Sequence, residues 1–66
     1  MLEINRHLSR ADLALHIDDL ISLGEDPGTE KFWERVRVFI FSFGSMKDRA
    51  DLMPVWAGWR KAYLIA

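Results

Sequence analysis

Five residues punctuate this chain and restrict the folds open to it: Ser9, Gly24, Thr29, Gly44 and Ser45. A helix leaves its first N–H and last C=O groups without intrahelical partners, so short polar residues gather at its start and glycine just past its end. Ser9 with Asp12 three residues later has the spacing of a capping box, with Asp in place of the preferred Glu. Gly24 then marks a stop, which predicts a first helix over about residues 10–23. Thr29 opens a second segment, residues 30–43, which Gly44 closes. Ser45 with Asp48 opens a third over residues 46–52. Pro54 follows, and proline removes a backbone donor and crowds the preceding turn. The third helix is therefore expected to kink there, or to restart and run on to residue 65.

Hydrophobic periodicity agrees with these boundaries. In the first segment Leu13, Ile17, Leu20 and Ile21 share one helical face with Ala14 at its border, and Leu15 lies opposite. The second segment is less clear. Arg35-Val36-Arg37-Val38-Phe39-Ile40-Phe41 alternates like a strand and is rich in β-branched and aromatic residues. Read as a helix, it places Phe32, Val36, Phe39, Ile40 and Phe43 on one continuous face, with Trp33 at the edge. The strand reading leaves the Thr29 and Gly44 signals unexplained and offers no second strand for pairing. Helix is the expectation. The sequence Gly24-Glu25-Asp26-Pro27-Gly28 is a turn, too short to link domains. The predicted architecture is a single all-α domain, residues 1–66: a helical hairpin with a Pro-kinked C-terminal helix laid across it.

Composition enters through what such a small bundle can hide. Half of the 66 residues are hydrophobic, and four Phe, three Trp and one Tyr are among them. A compact chain of this length has a radius of gyration of roughly 11 Å and buries only about 60 % of its unfolded surface. The apolar side chains exceed what that interior holds, which predicts a surface that meets another protein chain. Two faces of the third segment show the excess. Leu52, Trp56, Trp59 and Tyr63 lie on one side if the helix is continuous, and Met46, Ala50, Met53, Ala57 and Leu64 lie on another. Trp and Tyr are enriched at binding hot spots. The expected partner-binding set is therefore Trp56, Trp59 and Tyr63, with Arg60 at its edge and Leu52 beside it. The competing set is Val38, Phe41 and Leu15, which lie opposite the main apolar faces of their helices.

Charge is divided along the chain. Residues 1–30 carry a net −5 and residues 31–66 a net +4. Opposed halves suit an antiparallel pairing, and closed two-fold dimers are the commonest oligomers; a homodimer, or an obligate complex with another protein, is expected.

Chemistry is not expected. Ser9, Asp12, His16 and Asp19 lie along one flank of the first helix, but parallel side chains do not converge on a substrate, and Ser9 is the expected cap. His7 and His16 lack the i,i+4 spacing of a shared ligand face, and no cysteine is present, so no metal or cofactor is expected. No stretch is long enough to span a membrane: residues 38–46 form the longest run without an ionisable side chain. Met1-Leu2-Glu3-Ile4-Asn5-Arg6 carries no apolar signal-peptide core, which together with the lack of cysteine predicts a cytoplasmic protein. Nucleic acid is not favoured, because the net charge is −1 and Lys31 and Arg35 point well away from Arg37. The expected function is a small non-enzymatic interaction module that regulates or inhibits a partner protein; its size and surplus apolar surface resemble the general profile of small regulatory or inhibitory proteins, including those made by phages and mobile elements. The alternative is a small DNA-binding transcriptional regulator.

Overall fold

A computed structural model describes residues 7–65 of the chain, so the expectation about the start lies outside the described residues. Three helices follow in order: α1, Arg10–Ser22; α2, Glu30–Phe43; α3, Met46–Ile65. Among the described residues there is no strand. The domain is all-α, and the stretch that alternates like a strand lies wholly within α2.

The caps form as their spacing predicts. The Asp12 amide donates to Ser9 Oγ at 3.1 Å, and the Ser9 amide donates back to Asp12 Oδ2 at 2.9 Å. At the other end of α1, Gly24 takes φ +92°, a conformation strained for any residue with a Cβ. The amides of Gly24 and Glu25 return to the carbonyls of Ile21 and Leu20, each at 3.0 Å, which is the Schellman pattern. In the turn, Asp26 Oδ1 accepts from the Gly28 amide at 2.9 Å. Thr29 Oγ1 donates to the Asp26 carbonyl and accepts from the Phe32 amide, starting α2. Ser45 and Asp48 repeat the reciprocal box at α3, with bonds of 3.0 and 3.1 Å.

The α2–α3 corner is tight. A Cβ on Gly44 would lie 2.7 Å from the Ile40 carbonyl oxygen and 3.1 Å from Asp48 Cβ. Glycine is required there by close approach, since its φ of −91° suits any residue. Asp48 is itself buried and holds the corner together. Besides the Ser45 amide it accepts from the Leu8 amide at 3.0 Å, and its other oxygen lies 3.4 Å from His7 Nδ1. These hydrogen bonds, the Leu8 and Ser45 amides foremost, hold its carboxyl below the ordinary carboxylate range.

α2 is the central helix, and α1 and α3 both pack on it. Leu13, Ile17 and Leu20 of α1, Phe32, Trp33, Val36 and Ile40 of α2, and Leu52 of α3 make the core. Trp33, expected at an edge, sits at its centre and is fully buried. Its indole N–H donates to the Pro27 carbonyl at 2.6 Å, and its ring lies 5.1 Å from Phe32 and 5.6 Å from Tyr63. The reason is that α2 is covered from two sides, so its buried arc turns toward α3. That shift moves Phe39 to a half-buried position, and Phe43, on the last turn, is left exposed. Ile21 of α1, also expected inside, is exposed.

α3 continues through Pro54 as one helix. Pro54 is exposed, and so is Ala50, whose carbonyl loses its usual partner to the proline. Water can satisfy a carbonyl on that side, which lowers the cost of proline inside a helix. With a radius of gyration of 12.3 Å and extents of 42 × 24 × 16 Å, the molecule is a slab one helix pair thick. A slab has little interior.

Candidate interaction surface

The C-terminal aromatic set faces α2. Trp56 donates its indole N–H to the Trp33 carbonyl at 2.8 Å, which commits its polar tip inward. Trp56 and Trp59 are half-buried against the core, and Leu52 is part of that core, only 4 % exposed. Arg60 binds Glu30 through both guanidinium branches, with Nε to Oε1 at 3.1 Å, and its cationic carbon lies 5.8 Å over the Trp56 ring. Tyr63 alone of the set is substantially exposed, beside a hollow of about 270 Å³ shared with Trp59, Ala14, Ile17 and Asp18. These residues chiefly join α3 to α2.

The competing set divides. Leu15 is 62 % exposed and Val38 52 % exposed. Phe41 is 41 % exposed but stands between two cations, with the Arg37 and Arg49 guanidinium carbons 5.5 and 5.1 Å from its ring. Arg49 also donates to the Phe41 carbonyl at 2.9 Å, closing the last turn of α2. Phe41 thus belongs to the α2–α3 corner, whereas Leu15 and Val38 flank the seam between α1 and α2.

Along that seam the structure assembles a groove that no single helix announces. The His16 imidazole lies flat on the Phe39 ring, with centroids 3.9 Å apart and planes 7° from parallel. Phe39 in turn meets Phe43 at 5.3 Å. One side of this ring ladder opens onto a hollow of about 440 Å³ lined by Leu20, Lys31, Glu34, Arg35, Val38 and Ser42 together with the rings. The other side opens onto one of about 390 Å³ lined by His7, Leu8, Asp12, Leu15 and Asp19. The two hollows share His16, Phe39 and Phe43. Phe43, 72 % exposed, has no polar tip that water could satisfy.

The sequence pattern missed Phe39 and Phe43 as surface residues because their periodicity belongs to the core face. The available signal was that α2 carries more large apolar residues than one buried arc can cover.

The groups that superficially resembled a catalytic flank are engaged structurally. Ser9 and Asp12 form the α1 cap, and His16 stacks on Phe39. Burial disfavours the imidazolium and lowers the His16 pKa, against a smaller opposing pull from Asp19. Among the described residues no group of three His, Cys, Asp or Glu side chains is placed to hold a metal ion. No helix there is long and apolar enough to cross a membrane. No protein-family model matches the chain, and neither curated proteins nor solved structures gave a match.

Proposed function

We propose that this chain is a non-enzymatic protein-binding module that regulates or inhibits a partner protein in the cytoplasm, and that it docks through the α1–α2 groove. The observation that carries the reading is the open ladder of His16, Phe39 and Phe43, flanked by exposed Leu15 and Val38. Contiguous apolar surface of this kind on a small domain marks an interaction site. The Trp56, Trp59 and Tyr63 set ranks second, since its largest rings are engaged with α2. A bend of α3 at exposed Pro54 would serve the same end, wrapping Trp56 and Trp59 onto α2. Protein is favoured over DNA because Arg37 and Arg60 are already paired with Glu34 and Glu30, so the basic residues form no open stripe.

The test is affinity capture from the organism that encodes the chain. Val38→Asp combined with Phe43→Ser is expected to remain helical by circular dichroism and to lose the partners that the parent chain retains. A folded double variant that keeps every partner would overturn the choice of face. Tight, steeply salt-dependent binding of random duplex DNA by the parent chain would favour the transcriptional-regulator alternative instead.

A further inference from the structure

We propose that, while no regulated partner fills it, the α1–α2 groove holds a second copy of this chain, related by a two-fold axis running along the groove, so that self-association and partner docking compete for one face. The proposal rests on the reading of that groove as the docking face and adds the identity of the occupant. The helices flanking it are antiparallel, because Leu8, just before α1, meets Gly44, just after α2. The two edges of the groove differ in charge. On the α1 edge stands Asp19, with Asp12 further along; on the α2 edge stand Lys31 and Arg35. Glu34 on the same edge is occupied by Arg37, and Arg35 is held only loosely by Glu25 at 3.9 Å.

Rotation about an axis along the groove lays α1 of each copy over α2 of the other at the same height. Asp19 follows His16 and precedes Leu20, the α1 residues that share a hollow with Lys31 and Arg35, so it lies near their level. The rotation therefore brings Asp19 of each copy toward Lys31 and Arg35 of the other, and symmetry makes the match twice. An axis across the helices would instead lay α1 on α1, acid facing acid. The apolar ladder occupies the middle in the first arrangement, with the charges at the rim, as in ordinary interfaces. Size also fits. A standard interface takes roughly 800 Å² from each partner, a minor share of the total accessible surface of 4546 Å².

The experiment is sedimentation equilibrium across protein concentration and salt, with circular dichroism to verify folding. The parent chain is expected to exchange between its 7.7 kDa monomer and a dimer of twice that mass. Asp19→Lys alone, or Lys31→Glu with Arg35→Glu, should raise the dimer dissociation constant about tenfold or more at low salt. An equimolar mixture of those two variants should dimerise again, because each charge edge then meets its opposite only in the mixed pair. A parent chain that stays monomeric at every concentration overturns the second-copy proposal. If Val38→Asp with Phe43→Ser then still abolishes partner capture, the docking face stands without it. A dimer indifferent to both charge reversals and to Val38→Asp with Phe43→Ser overturns the proposal and shows that self-association uses another face.

Discussion

The α2–α3 contact and the α1–α2 groove are both lined by aromatic rings, yet the first is closed and the second open. In the closed region the indole N–H groups of Trp33 and Trp56 find backbone carbonyls at Pro27 and Trp33, so Trp33 is buried and Trp56 half-buried, each with its polar atom satisfied. In the open region Phe39 and Phe43 have no such atom: Phe39 rests on the core with His16 stacked on its ring, and Phe43 leans on Phe39 with most of its surface open to water. In a chain this small an amphipathic aromatic stripe can thus be drawn into the packing between helices. The core needs the large rings, and the surplus is pushed to where α1 stops covering α2.

That contrast can be broken most severely at Trp33. Trp33→Ala should cost about 3–5 kcal/mol, comparable with the whole stability of a domain of this size, and the chain should lack a cooperative thermal transition. A variant that melts like the parent would show that the α2–α3 contact is not the core. Next in size is the corner that brings the two helices together. Gly44→Ala forces a Cβ against the Ile40 carbonyl, and overpacking of this kind costs about 1–3 kcal/mol, readable as a lower urea midpoint with unchanged slope. The groove should respond differently. At protein concentrations low enough to keep the chain monomeric, Leu15→Asp or Val38→Asp should change stability by less than about 0.5 kcal/mol, as exposed positions do; a large loss in the monomer at either would place the groove in the core.

The smallest effects come from pH, and they separate the two regions by titration range. His16 in the groove has its pKa lowered from an ordinary value near 6.5, so the unfolded chain takes up the proton first as the solution is acidified. Its contribution is complete above 6.5 and declines as pH falls below it. The slope should vanish in His16→Gln. Asp48 at the α2–α3 corner has its pKa lowered from 3.8, so its contribution is complete above 3.8 and is lost as pH falls through and beneath that value. Asp48→Asn should remove this second limb while leaving the first, and urea midpoints measured across both ranges check the two together.

What the sequence alone determined about this protein is local. Ser9 with Asp12, Thr29 and Ser45 with Asp48 start the three helices, and Gly24 ends the first, because every capping bond joins residues within a few positions and forms whatever lies beyond them. The same signals outweighed the strand-like alternation of residues 35–41, whose helical form needs no distant partner. Which apolar face becomes the interior was decided by tertiary structure. Periodicity specifies faces, but burial depends on which neighbours arrive. Two helices converge on α2, so Trp33 moved from an edge to the centre and Phe43 moved from the core to the surface. Leu52, read as part of a binding stripe, became core for the same reason. Pro54 likewise interrupts only a local preference: α3 continues past it because Leu52, Trp56 and Trp59 on either side pack against one core, while the missing hydrogen bond falls on the side open to water.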